Sequence, residues 1–220
     1  MHFLIVLFLS HVVVMFVHTA GLAIAGRMAG ASISEVAIFT GPAIVKIEIY
    51  GIAYRLNLLP FGSYVKFDTD ERAGRRKRLD EIHPLIRVWI AASGCLALLL
   101  FTTVCFGPVA TLHHTLSGFS QIITGALSPI AIGTQLLQRL RQFVTTESLI
   151  STLALVASKE AAFNLLPLPA LNGGDIILNL VSLVKPISES LRVKLTTAGM
   201  LVMLLLWLCW LIALVAFLLK

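Results

Sequence analysis

Residues 1–26, MHFLIVLFLSHVVVMFVHTAGLAIAG, contain no Asp, Glu, Lys or Arg. A helix that crosses the hydrocarbon core of a bilayer needs about 20 apolar residues, and this stretch supplies them. Two further stretches, 88–138 and 195–219, lack the same four residue types. Of all 220 residues, 58% are hydrophobic and only 13% are charged, which excludes an ordinary soluble domain. We therefore expect a polytopic α-helical membrane protein.

Four membrane-spanning helices are expected, near residues 3–25, 87–109, 149–171 and 197–219. The third is interrupted by Lys159 and Glu160. Charges inside a membrane are costly and often functional, which leaves open a transport or channel subunit. The alternative is that each charge pairs with neighbouring polar groups. The first segment also resembles a cleaved secretory signal, but no Lys or Arg precedes its apolar core, so we expect a retained helix.

The segment between the first two helices has a different periodicity. From Val45 to Phe67 polar and apolar residues alternate, which is typical of a strand, and Gly51 and Pro60-Phe61-Gly62 are candidate turns or bulges. We expect a small membrane-associated β-hairpin or sheet within residues 34–67, followed by a basic cytoplasmic loop over 68–86. The outer segment, 110–147, is expected to contain an interfacial helix from 130 to 143, and a loop is expected over 172–196.

Positive charge is distributed unevenly along the chain. Of 17 Lys and Arg residues, ten lie between the first and second helices, three between the third and fourth, and two between the second and third. The positive-inside rule then places both termini outside and the Arg27–Arg87 segment in the cytoplasm. The run Arg75-Arg76-Lys77-Arg78 is interpreted as a topology anchor beside anionic lipid, and no nucleic-acid partner is expected.

Three passages, in order, resemble a known family. They are FVHTAGLAIAGR at 16–27, FTGP at 39–42 continuing through Tyr54 to LPFGSYVKF at 59–67, and NLLPLPALNGG at 164–174. They are similar to the H-E-x-G-H helix, the strand region ending in P-x-G-G-Y-V, and the N-L-L-P-x-P-x-L-D-G-G segment of the site-2 proteases, which are intramembrane zinc metalloproteases. IAASGC at 90–95 is a looser counterpart of that family's A-G-P turn. The outer segment is too short for the PDZ domain of some relatives.

The resemblance also locates the positions of the family's chemistry. There, two histidines and an aspartate bind zinc, and a glutamate takes a proton from zinc-bound water. The four positions here are held by His18, Thr19, Leu22 and Asn172. Leu22 has no lone pair, Thr19 is no useful base at neutral pH, and Asn172 offers only an amide oxygen. We expect no intact catalytic site and no zinc cofactor; His18 and Asp175 are the candidate ligands if a metal binds.

The resemblance implies a bacterial inner-membrane protein, and the lost ligands favour a pseudoprotease that binds or regulates a transmembrane protein or peptide in the lipid bilayer. In active relatives the strand region is thought to receive substrate by edge pairing. Candidate partner-binding residues are Gly41, Pro42, Tyr54, Gly62, Tyr64, Asn164, Pro167 and Pro169. The alternatives are an active zinc metalloprotease with substituted ligands and the transport subunit. The cysteines suit neither a zinc knuckle nor a disulfide framework, and we interpret them as core residues: Cys95, Cys105 and Cys209.

Overall fold

The computed structural model describes residues 2–68 and 78–220, so Arg75, Arg76 and Lys77 of the predicted topology anchor lie outside the described residues. Three of the described helices, His2–Met28, Pro84–Phe106 and Glu189–Leu218, are long and apolar enough to cross a membrane. The elements in chain order are α1 (His2–Met28), β1 (Ile33–Ile49), β2 (Ile52–Phe67), α2 (Pro84–Phe106), α3 (Pro108–Leu127), α4 (Thr134–Thr146), α5 (Leu149–Asn164), α6 (Asn172–Val184) and α7 (Glu189–Leu218). The chain is a mostly helical membrane protein with a sheet between α1 and α2.

The third expected span corresponds to α5, which is shorter than predicted. Its 16 residues extend about 24 Å, whereas the hydrocarbon core of a bilayer is about 30 Å thick. The helix ends at Asn164, because Pro167 lacks an N–H and disfavours helical geometry in the residue before it. The count of four spans therefore stays a prediction.

The region after α5 contains more helix than expected. The expectation of a loop over 172–196 is wrong, because α6 and the first residues of α7 occupy most of it. Gly173 and Gly174 suggest a break in the sequence, but they are buried in the first turn of α6. A side chain at either glycine would collide with the turn that precedes the helix, so these residues permit the helix to start where it does.

The outer segment also differs from the expectation of a single interfacial helix. It contains α3 as well as α4, and a π-helical turn over Pro129–Gly133 joins them. Gly107, with φ 79°, separates α2 from α3, and Pro108 occupies the first position of α3, where its missing N–H costs nothing. The apolar face of α4 packs on both ends of the chain in a cluster of Phe3, Leu137, Val144, Ala213 and Phe217.

The two long strands form one antiparallel sheet, closed by a turn in which Tyr50 and Gly51 have φ of 51° and 74°, as the tightest hairpin turns require. Next to the turn, residues 43–49 pair with 52–57. On the other side of the hairpin, residues 35–38 pair with 63–66 in opposite directions. They also pair with 53–56, and in this set the two segments run in the same direction. The strands therefore bend, and the sheet is four segments wide.

The core of the molecule lies where the sheet meets α1, α2 and α5. Ile38 and Phe39 of β1 pack against these helices in a buried cluster with Val14, Met15, Leu98, Ala157 and Ala161. By contrast, only Gly199, Ala213 and Phe217 are buried in α7. Many of its other apolar side chains, such as Leu201, Leu205 and Leu211, are exposed, as expected of a helix that contacts lipid.

Candidate functional site

The family-equivalent positions of the first helix lie where α1 and α2 approach closely. A Cβ added at Gly94 of α2 would stand 2.6 Å from His18 Cδ2 and 2.8 Å from His18 O. On α1, a Cβ added at Gly21 would meet Ser93 O at 2.9 Å. Small residues allow helix backbones to come this close in membranes. One glycine on each helix thus brings α2 onto the His18 face of α1.

The imidazole of His18 is 2% exposed and faces α2. Its Nε2 lies 4.0 Å from Cys95 Sγ, and its Nδ1 has no hydrogen-bond partner among the described residues. Cys95 stands where the family's A-G-P turn has proline, but here α2 is continuous through this position. The sequence analysis interpreted Cys95 as a core residue and did not identify its contact with His18. The correspondence of residues 90–95 to the family's A-G-P turn was the one feature of the sequence that could have indicated it.

Thr19 and Leu22 differ in their surroundings. The Thr19 hydroxyl donates to Met15 O at 2.7 Å and is hydrogen-bonded to Ser63 Oγ at 2.6 Å. Ser63 follows Gly62, which has φ 68°, in the irregular part of β2. Thr19 therefore connects α1 to the sheet, and the sequence analysis did not identify Ser63 as its partner. Leu22 is half-buried and contributes no polar atom.

Asn172 is the first residue of α6, and its side chain is turned toward α2. Its Nδ2 donates to Ala91 O at 2.5 Å. Ala91 is three residues before Gly94 and four before Cys95, so one turn of α2 contacts both His18 and Asn172. His18 and Asn172, which are more than 150 residues apart in the sequence, thus both contact this turn of α2.

The residues present do not fit a three-ligand zinc site. A catalytic zinc ion uses three protein ligands with free lone pairs, and here only the imidazole of His18 and the sulfur of Cys95 face each other. The amide group of Asn172 donates to a carbonyl, and Asp175 is exposed on α6. Within residues 2–68 and 78–220, no three His, Cys, Asp or Glu side chains are grouped for metal binding.

The candidate partner-binding residues of the sheet lie at separate points along β1 and β2. Gly41 and Pro42 are exposed where β1 bends, and Gly41 has φ 86°. Tyr54 is exposed and pairs with Ile47. Tyr64 donates to Glu35 Oε1 at 2.6 Å; burial and then this hydrogen bond raise its pKa above the usual value, so its hydroxyl stays protonated.

The remaining candidates lie at the end of α5 and in the turn between α5 and α6. Asn164 Nδ2 donates to Glu160 O at 3.1 Å and to Glu160 Oε1 at 2.9 Å. Pro167 and Pro169 follow in the turn, which Leu168 tightens by donating its N–H to Leu166 O at 2.7 Å. A partner-binding role for any of the eight candidates stays a prediction.

The two charged residues of α5 have separate partners, which is the arrangement expected of structural pairing. Lys159 Nζ donates to His114 O at 2.7 Å and to Ser117 Oγ at 3.0 Å on α3. Glu160 lies 3.7 Å from His11 Nδ1 on α1 and accepts from Asn164. The two side chains therefore face different neighbours and do not form an ion pair with each other.

Comparison with known proteins places this geometry in a family. The model of "Peptidase family M50" matches residues 3–206. Two relatives, both named "Putative zinc metalloprotease", come from Chlamydia trachomatis serovar D and Streptococcus pyogenes serotype M3. The first is 30% identical over 41% of this chain and 17% of that protein, and the second is 37% identical over 27% of this chain and 15% of that protein. The chain thus covers less than a fifth of the length of each of these relatives. The family match, by contrast, spans nearly all of this chain, and we conclude that the chain belongs to peptidase family M50.

Proposed function

We propose that this chain is a pseudoprotease that binds a membrane-protein segment without cleaving it. The observation that carries the proposal is the chemistry of the four catalytic positions. Thr19 is hydrogen-bonded to the sheet, Leu22 has no donor atom, and Asn172 donates its amide to Ala91 O. None of the four positions carries a carboxylate, so together they supply neither a base to activate water nor three ligands to hold zinc.

The proposed binding surface is the outer edge of β1, residues 43–49. These residues are exposed and, among the described residues, pair on one side only, with 52–57. Ile44 and Ile47 are 60% and 54% exposed. An unpaired strand edge presents N–H and C=O groups to which an extended segment can add as a further strand. Its apolar side chains favour a segment drawn from a transmembrane helix.

The proposal includes an orientation in the membrane. The uneven distribution of Lys and Arg favours both termini outside and the Arg27–Arg87 segment in the cytoplasm. The sheet would then receive partners from the cytoplasmic side of a bacterial inner membrane. The bacterial origin of the matched relatives supports the choice of membrane.

The first test is metal content and proteolysis. We expect protein purified in detergent without chelators to contain background zinc by elemental analysis, and to leave a synthetic transmembrane peptide intact under conditions in which an active M50 protease cuts it. Stoichiometric zinc together with cleavage would contradict the proposal.

One observation favours an alternative, a metal bound at substituted ligands. His18 Nε2 and Cys95 Sγ are 4.0 Å apart, and both are zinc ligand types. If the alternative holds, zinc in the wild-type protein is lost in both His18→Asn and Cys95→Ser, whereas Cys105→Ser, which changes a cysteine farther along α2, retains it. The pseudoprotease proposal expects the same background zinc in all four proteins.

The second test addresses the strand edge. We expect Glu48→Pro to weaken binding of an extended transmembrane peptide by about tenfold. Glu48 is one residue from the pair Ile49–Ile52 that closes the turn, so its N–H points to the free edge, and proline removes that N–H. Glu48→Thr is the matched control, since it removes the same charge and keeps the N–H. Binding is measured by fluorescence anisotropy of a labelled peptide in detergent. Equal binding by the proline variant and the wild type would exclude residues 43–49 as the docking edge.

A further inference from the structure

A cavity of about 460 Å³ lies between α3, α4, α5 and α7. It is on a different face of α5 from Glu160, the residue that lies next to His11 of α1. This volume falls in the range of small-molecule sites. Most of the wall is apolar and includes Ile122, Leu140, Phe143 and Trp210. Trp210 donates its indole N–H to Ile122 O at 3.1 Å, so its polar atom is already satisfied and the ring presents hydrocarbon to the space.

The polar part of the wall is cationic. Lys159 and Arg139 both line the cavity, and within the described residues neither forms a salt bridge with a carboxylate. The ammonium group of Lys159 has three N–H donors and two neutral acceptors, His114 O and Ser117 Oγ. One donor therefore remains for a ligand, and no carboxylate of residues 2–68 or 78–220 pairs with either positive charge.

Close packing around Lys159 holds this charge in place. A Cβ added at Gly118 would stand 2.8 Å from Ala162 Cβ and 3.3 Å from Lys159 Cδ, so α3 lies directly against α5 beside the lysine stem. A charge inside a membrane protein is costly unless it is paired. The expected occupant neutralises Lys159 while covering the apolar wall.

We propose that this cavity binds an anionic amphiphile, with its phosphate or carboxylate group on Lys159 and its acyl chain along Ile122, Leu140 and Trp210. Arg139 on α4 supplies the second positive charge. A charge-assisted hydrogen bond to such a group is about twice as strong as a neutral one, so the head group should contribute selectivity and the chain should contribute hydrophobic burial. This cavity site is independent of the pseudoprotease proposal, because none of the residues on which that proposal depends lines the cavity.

The test is native mass spectrometry of the whole chain released from nonionic detergent. Phosphatidylglycerol and phosphatidylcholine with identical chains give one comparison, palmitate and hexadecanol give the second, and inorganic phosphate is the head-group arm. We expect the anionic member of at least one pair to bind at least about tenfold more tightly than its partner. Preference in the first pair identifies a phospholipid, and preference in the second identifies a fatty acid. Binding of inorganic phosphate alone, without either preference, would overturn the proposal.

The variants separate charge from fold. Lys159→Met is expected to remove the preference, and Arg139→Gln to reduce it. Arg141→Gln is the matched control, because Arg141 lies on the same helix but lines a different surface with Lys220. Leu140→Trp fills the cavity, so it should reduce binding of both members of a pair. Equal binding of charged and neutral amphiphiles by the wild type would overturn the proposal. Full preference in Arg139→Gln together with undiminished binding of both members by Leu140→Trp would also overturn it, even if Lys159→Met fails to fold.

Discussion

The triple variant Thr19→Glu, Leu22→His and Asn172→Asp is expected to purify with about one zinc ion per chain, against background zinc in the wild type. Residues four apart share one face of a helix, so a histidine at position 22 joins His18 on α1. Asn172 already contacts the turn of α2 that His18 contacts. We therefore expect the three side chains to reach one ion beside this turn of α2.

The Asn172→Asp component shows why the restored metal matters. A carboxylate cannot donate to Ala91 O, which accepts from the amide of Asn172 at 2.5 Å. Loss of this hydrogen bond costs about 0.5–1.5 kcal/mol, and the carboxylate oxygens repel the carbonyl oxygen that they would face. Asn172→Asp alone should therefore lower the thermal stability of the protein, and zinc should restore it in the triple variant but not in the single one.

Elemental analysis of the detergent-purified proteins is the measurement, with a melting curve in the presence and absence of zinc. The matched control is Thr19→Glu with Asn172→Asp, which keeps Leu22 and so presents one histidine. A triple variant that elutes as a folded monodisperse protein without zinc would show that the backbone no longer holds the family's ligand geometry.

Gly174→Ala is expected to abolish accumulation of folded protein. The added Cβ would lie 2.1 Å from Leu168 O and 2.5 Å from Pro169 Cα, both backbone atoms of a turn fixed by two prolines. Neither side can move without displacing α6 from the turn. Overpacking of this kind costs about 3 kcal/mol or more, which is a large part of the stability of a typical domain.

The yield of monodisperse protein and its unfolding in graded denaturant report this effect. Asp175→Ala is the matched control, since it changes the next residue of the same helix but at an exposed position, where substitutions usually change stability by about 0.5 kcal/mol or less. If Gly174→Ala matches the wild type in both measurements, α6 does not start against the turn as described.

The sequence predicted elements whose signals are local. The apolar stretches that became α1, α2 and α7 carry their own signal, because the length of an apolar run is set by the bilayer. The hairpin after Val45 was also visible, because one-residue alternation and Gly51 specify a two-sided strand and a tight turn. The membership in family M50 followed from three short motifs and is confirmed by the family match.

What the sequence missed depends on distant contacts. The loop expected over 172–196 left out α6. Glycine is in general a poor helix former, whereas here carbonyl groups of the preceding turn leave no room for a side chain at Gly173 or Gly174. The residues around Cys95 have the composition of an ordinary apolar helix, so nothing local indicates its contact with His18, which is 77 positions away in the sequence. The cavity at Lys159 is formed by four helices, and α3 was not predicted at all. No window along the chain contains such information.

The packing of Gly199 against the turn at Pro169 has a consequence for biogenesis. A Cβ at Gly199 would stand 2.9 Å from Ala170 N and 3.0 Å from Pro169 N, so α7 covers the segment that leads into Asn172. Chains emerge from the ribosome with the N-terminal part first. The turn beside Asn172 is therefore left uncovered until α7 is inserted, so this part of the molecule completes its packing only after residue 199 has been synthesised.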